Sequence, residues 1–250
     1  MVEKAGNEKP KACLRVLQAD KIENMAKAEE YSKKDRELFE ETVVSNDEIS
    51  PGVFLLSVKR RRDFLPGQVV KLAVDRIQPP RIYSICSGNH EPELRILFNI
   101  KEDGYLTPKL AALVPGDQVL LTEPYGSFIG NSKPAWWIAT GTGIAPFYSM
   151  FQSGLFDHKK LIHGVSYLNQ FYFEDELDWS LGKNYQRCCS REQSCDVFPG
   201  RVTDYLNSLD KLPQDVLYYL CGKAIMVVEV RDLIIGRGVP YEHIIAEIYF

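Results

Sequence analysis

No two of the six cysteines, Cys13, Cys86, Cys188, Cys189, Cys195 and Cys221, are spaced as Cys-X-X-Cys. That argues against a zinc ribbon and against a redox dithiol. Adjacent cysteines make a poor zinc clamp, so Cys188, Cys189 and Cys195 are not expected to hold a metal. No cysteine run resembles an iron–sulfur ligand set, so any one-electron partner should be a separate protein. Long apolar runs are missing too: none approaches the roughly 18 residues of a membrane span. The opening MVEKAGNEKPKACLRV is charged throughout and has no apolar h-region, so a cytoplasmic protein with no membrane association is expected. The net charge of −4 gives no global reason to expect a nucleic-acid partner.

What is present is an ordinary globular composition, 45% apolar and 26% charged over 250 residues, enough for one large domain or for two of ordinary size with a core each. Residues 1–36 form a polar arm, with a helix expected around Ile22 to Leu38 and Asp20 as its cap. From Phe39 the apolar period changes to that of strands. ETVVSNDEISPGVFLLSVKR reads as two strands around a Ser50-Pro51-Gly52 turn, and VVKLAV, RIYSICS, ELRILFNI and QVLLTEP follow. Turn signals every 8 to 12 residues predict an antiparallel β-barrel over 37–130. From 131 to 250 the pattern alternates strand and helix, which predicts a parallel α/β sheet of Rossmann type. Ligands of such sheets bind beyond the carboxyl ends of the strands, where GTGIAP, GVS, SRE and CGK all fall.

Candidate chemistry centres on PPRIYSICSG. Pro79 and Pro80 exclude a helix, and an extended backbone sends Arg81 and Tyr83 to one face and Ile82 to the other. A guanidinium matches a phosphate, an aromatic ring covers a flat heterocycle, and the Ser84 hydroxyl can bond its edge. That is a cradle for a flavin dinucleotide; an edge strand with a solvated arginine and a half-buried tyrosine explains the same residues. Further on, Asp103-Gly104 breaks a strand, and Tyr105-Leu106-Thr107-Pro108 opens a short helix with Thr107 as expected N-cap. Its free N–H groups suit a pyrophosphate, or it is an ordinary capped helix. Gly141 and Gly143 leave a loop without side-chain bulk, open to a pyrophosphate. Lys59-Arg60-Arg61-Arg62 makes a basic tip that reads either as a solvated loop or as a docking patch for an acidic protein.

The order RIYS, GYLT, GTGIAPF, SREQ, LCGK and EIYF resembles the ferredoxin–NADP reductase family of flavoproteins over residues 40 to 250. The resemblance implies FAD and NADP(H) as cofactors, with NAD(H) as the alternative. It implies that Arg81, Ile82, Tyr83 and Ser84 cradle the flavin: Arg81 at the pyrophosphate, Tyr83 on the isoalloxazine, Ser84 facing N5. Gly104, Tyr105, Leu106 and Thr107 match a second phosphate-binding stretch. Gly141, Thr142, Gly143, Ile144, Ala145 and Pro146 would hold the nicotinamide dinucleotide, with Cys221 and Gly222 near the nicotinamide. Ser190 and Arg191 pair a hydroxyl with a guanidinium, a grip for the extra phosphate of NADP. Glu247, Tyr249 and Phe250 would lie over the flavin, and Ser84, Cys221 and Glu247 would be the catalytic groups. The implied activity is hydride transfer from NADPH to flavin N5, then single-electron delivery to ferredoxin or flavodoxin. A cytochrome, oxygenase or flavin reductase, or an electron-transfer subunit of a larger complex, shares the scaffold. Two departures stand out. Ser166-Tyr167-Leu168-Asn169 lacks the arginine that bacterial members often carry there, and Phe250 replaces their tryptophan.

Overall fold

The computed structural model describes residues 37–249. The helix expected over the arm lies outside them, except for Glu37 and Leu38, which are not helical. Phe250 also lies outside.

The first half is an antiparallel sheet built from β1 (Phe39–Ser50), β2 (Val53–Lys59), β3 (Val69–Ala73), β4 (Arg81–Ser84), β5 (Glu93–Asn99) and β6 (Gln118–Leu121), in the order β4-β3-β6-β1-β2-β5. A five-residue helix, α1 (Thr107–Ala111), precedes β6. The two outer strands meet: Ile85 bridges Ile96, and the Cys86 N–H donates to the Arg95 carbonyl at 2.8 Å. The sheet therefore closes on itself as a barrel, leaving no open edge on that side. Strand alternation sends Leu56, Val70, Leu72, Ile96, Phe98 and Val119 into one buried cluster. Gly52 turns the β1–β2 hairpin at a φ of +72°, and its N–H donates to the Glu48 carboxylate at 2.8 Å.

The second half is a parallel sheet ordered β10-β9-β8-β7-β11-β12. Its strands are β7 (Ala135–Thr140), β8 (Lys159–Val165), β9 (Tyr185–Cys189), β10 (Phe198–Pro199), β11 (Leu217–Lys223) and β12 (Ile244–Tyr249). Four helices connect them: α2 (Ala145–Gln152), α3 (Glu174–Leu181), α4 (Val202–Ser208) and α5 (Ala224–Gly236). The chain runs outward from β7 to β10 and then returns to the other side of β7 for β11 and β12. Connections therefore diverge between β7 and β11, and the carboxyl ends of those two strands mark where sheets of this kind form a ligand crevice. None of the described helices is long and apolar enough to cross a membrane.

The two sheets share a core. Val53, Cys86 and Leu97 of the barrel cluster with Trp137 and Tyr219 of the parallel sheet and Phe147 of α2. Ser149 Oγ donates to the Ser87 carbonyl at 2.7 Å, and the Asn89 N–H donates to Ser153 Oγ at 3.0 Å. Tyr219 fixes the connecting segment by donating to the Ile129 carbonyl at 2.9 Å while accepting from Asn131. These contacts hold the end of β4 against the end of β12.

Two expectations are corrected. Thr107 is not an N-cap. The helix starts at Thr107 itself, and its hydroxyl accepts the Lys101 N–H at 2.8 Å, closing the preceding loop. The basic tip is more than a plain solvated loop, because two of its arginines are tied inward. Glu41, only 3% exposed, receives Arg61 at 3.0 Å and Arg62 at 2.7 Å. Arg62 also binds Glu123 and lies 3.8 Å from the Phe39 ring centroid. A buried carboxylate needs such partners, and it draws the arginines inward.

Candidate functional site

At the mouth of the crevice the backbone itself is packed. A Cβ on Gly143 would lie 2.5 Å from the Cys221 carbonyl oxygen and 2.8 Å from Gly222 Cα. Gly143 thus lets the loop after β7 lie on β11. Gly141 is unobstructed: at a φ of +54° it has nothing within 4 Å of its Cβ position. Thr142 and Ile144 belong to the 3-10 turn Gly141–Ile144, which runs into α2 through Ala145 and Pro146. Pro146 suits the first turn because its missing N–H has no partner there anyway. Gly222 has a φ of +144°, and a Cβ there would collide with Thr140 Oγ1. That hydroxyl is buried and has no hydrogen-bond partner among the described residues. An unpaired buried polar group is costly, so a polar ligand atom would be welcome beside it.

Across the crevice β4 meets β12. Tyr249 Oη donates to Ser84 Oγ at 2.7 Å, and Ser84 Oγ donates to Glu247 Oε2 at 2.8 Å. Cys221 Sγ lies 3.9 Å from the same carboxylate oxygen. Register explains the grouping, because Cys221 pairs with Glu247 across β11 and β12. Burial dominates the electrostatics. It raises the Glu247 carboxyl above the usual range against the pull of Ser84, and it pushes the Cys221 thiol and Tyr249 phenol well up. The chain Tyr249–Ser84–Glu247 can orient a hydroxyl and pass a proton along it.

On β4 itself, Tyr83 is largely buried and sits edge-on to Phe98 at 6.5 Å. Burial pushes its phenol up to about 12, with the Arg81 charge opposing. Arg81 is exposed and makes no ion pair among the described residues, so its guanidinium is available. Ile82 is 60% exposed. The GYLT stretch is tied to the loop entering β4. Tyr105 donates to Asp75 at 2.6 Å, Lys109 reaches Asp75 at 3.3 Å, and Lys109 lies 3.7 Å from the Tyr105 ring centroid. The Tyr105 hydrogen bond, ahead of Lys109, holds the Asp75 carboxyl down at about 2. Leu106 packs on the barrel core, and a Cβ on Gly104 would press on the Lys101 carbonyl at 2.9 Å.

Ser190 and Arg191 stand at the end of β9, apart from the Ser84 group. Ser190 bonds the Val165 carbonyl through its N–H at 3.1 Å. Arg191 donates to Tyr167 Oη at 2.8 Å and covers that ring, with Cζ 5.5 Å from its centroid. Glu192 accepts the Leu168 N–H at 2.6 Å. Beside them a cavity of about 580 Å³ opens between Ser50-Pro51 of the barrel and Tyr167 to Gln170.

Sequence reasoning missed His163. It is fully buried in β8, with Nε2 3.2 Å from the Gly141 carbonyl and Nδ1 3.2 Å from Tyr185 Oη. A lone histidine in the apolar run KKLIHGV was the one available signal. Cys188 and Cys189 are buried and Cys195 is exposed; among the described residues no cluster of three metal-ligating side chains forms.

Comparison with known proteins follows the same division. Residues 137–232 match the family model of the oxidoreductase NAD-binding domain. The toluate 1,2-dioxygenase electron transfer component of Pseudomonas putida is 27% identical over 91% of this chain and 72% of its own length. The ferredoxin–NADP reductase of Azotobacter vinelandii is 29% identical over 74% of this chain and 84% of its own. The flavodoxin/ferredoxin–NADP reductase of Escherichia coli is 32% identical over 58% of this chain and 65% of its own. In three dimensions, a ferredoxin NADP+ reductase from Neisseria gonorrhoeae, solved with bound FAD and NADP, superposes with a TM-score of 0.77 at 22% identity, covering 85% of this chain and 99% of that one. A closed antiparallel barrel joined to a parallel sheet, an oxidoreductase NAD-binding model on the latter, and relatives that align across both halves point the same way: together they support the ferredoxin–NADP reductase family of flavoprotein reductases.

Proposed function

We propose that the protein binds FAD on its barrel unit, residues 37–130, and NADP(H) on its parallel-sheet unit, residues 131–250. It would transfer hydride from NADPH to flavin N5 and deliver electrons singly to ferredoxin or flavodoxin. The observation that carries the reading is the meeting of Ser84 with Glu247 and Tyr249, residues from opposite units, at the crevice beside β7 and β11.

The residues present fit the cofactors. Among the described residues Arg81 has no ion pair and can offer its guanidinium to a pyrophosphate, Gly141 is unobstructed, and Thr140 Oγ1 lacks a partner. When bound, FAD supplies the redox chemistry, accepting hydride at N5 and releasing electrons one at a time. The protein supplies orientation. Tyr83 would cover one face of the flat ring. Ser84 would lie beside the reacting edge, its hydroxyl held by Glu247 and Tyr249. The raised pKa of Glu247 suits it to hold the Ser84 proton or return one. Tyr249 would cover the opposite face and would have to swing aside for a nicotinamide to reach Cys221 and Gly222. Closing the crevice excludes water from the transfer. Ser190 and Arg191 would grip the 2′-phosphate of NADP, with the GYLT stretch lining the phosphates of FAD.

A second reading, an oxygenase reductase, is favoured by the match to the dioxygenase component over most of this chain. Turnover separates them. Anaerobic protein is mixed with NADPH or NADH and then with ferredoxin, flavodoxin or an oxygenase. Fast carrier reduction with NADPH supports the first reading. Reduction of the oxygenase alone supports the second, and no pyridine-nucleotide oxidation with any acceptor contradicts both.

A further inference from the structure

His163 fills a place that neither packing nor the chemistry above requires of a histidine. It is fully buried in the apolar strand β8, yet both of its ring nitrogens are bonded. Nε2 is 3.2 Å from the Gly141 carbonyl oxygen. A carbonyl can only accept, so Nε2 carries the proton. Nδ1 is then the acceptor and takes the Tyr185 hydroxyl proton at 3.2 Å. The ring is gripped on its sides by Phe171, edge-on at 5.5 Å, and by Tyr185, stacked at 6.5 Å. Every degree of freedom of the imidazole is fixed, including its tautomer.

What the imidazole holds is the first residue of the loop after β7. The carbonyl and N–H of a trans peptide point in opposite directions. No cis peptide occurs among the described residues, so a Gly141 carbonyl drawn inward to His163 turns the Thr142 N–H outward. The loop is open at this point, since nothing stands within 4 Å of the Gly141 Cβ position. The first N–H groups of a helical turn have no partner within it, so the Thr142 N–H stays free to donate. Gly141 sits at a φ of +54°, a conformation in which glycine is otherwise free to flip. The histidine removes that freedom.

We infer that His163 is a positioning residue: it locks the Gly141–Thr142 peptide so that its N–H faces the phosphates of the nicotinamide dinucleotide, and Tyr185 fixes the tautomer that does so. The inference rests on the reading that the Gly141–Pro146 loop receives that dinucleotide. Binding energy would otherwise be spent on freezing the loop, so the effect appears in affinity for the dinucleotide and leaves flavin content untouched.

The test compares FAD-reconstituted parent, His163→Leu and His163→Gln. Leucine keeps the volume and loses both bonds; glutamine places an amide N–H near the Nε2 position. Calorimetry with NADP+ should show affinity about tenfold weaker for His163→Leu, the effect of one lost hydrogen bond, and within about threefold of the parent for His163→Gln. In steady state the loss should fall on KM for NADPH and leave kcat within about twofold, because the reacting groups are untouched. In addition, ¹⁵N spectra of the imidazole in the parent should show a single Nε2–H tautomer. Equal affinity in parent and His163→Leu overturns the inference while leaving the loop reading intact. So does glutamine as weak as leucine, which would reduce the residue to packing, and so does an Nδ1–H tautomer. A parent that binds neither NADP+ nor NAD+ overturns the loop reading itself, and the inference with it.

Discussion

Substituting Gly143 by alanine probes how closely the loop after β7 is set against β11. The added Cβ would sit 2.5 Å from the Cys221 carbonyl oxygen, 2.8 Å from its carbon and 2.8 Å from Gly222 Cα. A carbon–oxygen contact of this kind normally spans roughly 3.3–3.6 Å, so about 1 Å must open. All three neighbours are backbone atoms of a central strand, paired with β7 on one side and β12 on the other. They cannot yield alone, and the strain should cost about 1–3 kcal/mol. For a chain of this size that is a fall in Tm of roughly 2–12 °C. Displacement reaches the site directly, because Cys221 is register-paired with Glu247. Gly141→Ala is the control. Its Cβ meets nothing, and the left-handed φ costs about 1–2 kcal/mol, so stability falls comparably while Cys221 stays in place. Thermal unfolding, flavin absorbance and NADPH reduction rates would be measured for both. Gly143→Ala should shift the flavin spectrum and slow reduction; Gly141→Ala should leave the spectrum alone and weaken dinucleotide binding. A Gly143→Ala protein with the parent's Tm and reduction rate would refute the packing argument.

Four further outcomes are expected. Arg81→Ala should weaken FAD binding roughly ten- to a hundredfold, the loss of one charge-assisted contact, read by flavin dissociation; unchanged retention removes Arg81 from the phosphate site. Arg191→Ala should impair NADPH and spare NADH, whereas equal losses in KM would deny it the 2′-phosphate. Glu41→Ala should destabilise by at least about 2 kcal/mol in urea unfolding, short of the ~3–5 kcal/mol of a fully buried pair because Arg62 keeps 23% of its side chain exposed; no loss would mean that the arginines are independent of it. Burial holds the His163 imidazole at about 4 against an ordinary 6.5. The unfolded chain takes up that proton as pH falls below 6.5 and the folded chain does not until about 4, so this group withdraws roughly 3 kcal/mol of stability across that window. Glu247 acts in the opposite sense, since its raised carboxyl pKa favours the folded state on acidification. Comparing the pH dependence of urea unfolding in parent and His163→Gln isolates the histidine, and identical slopes would refute its assignment.

Local signals and long-range contacts differ in how far a sequence exposes them. The Ser50-Pro51-Gly52 turn, the alternation of VFLLSVK and the apolar run AWWIAT each carry their conformation within a few residues, so the antiparallel and parallel sheets were both legible. The strand ends carrying GTGIAP and CGK could be named because a parallel sheet places all such ends together. Their spatial order could not: Ser84 reaches Glu247 across 163 residues through barrel closure and strand register. Glu41 shows why the basic tip misled. A carboxylate in a strand looks solvent-facing until the fold buries it, and only then does it recruit Arg61 and Arg62. Thr107 has the right side chain for a cap, but Lys101 offers its hydroxyl a competing partner inside the loop. Gly143 was read as space for a phosphate, and the structure adds a second constraint that only the fold reveals: its missing Cβ makes room for a neighbouring strand.

The most direct test of the whole account is an anaerobic titration of the purified, FAD-supplied protein with NADPH, followed by oxidised ferredoxin or flavodoxin. The account predicts FAD bound at one per chain, bleaching of its absorbance by NADPH, recovery when the carrier is added, and both steps slowed in Ser84→Ala. A protein that takes up no FAD, or whose bound flavin neither NADPH nor NADH can bleach, would contradict it.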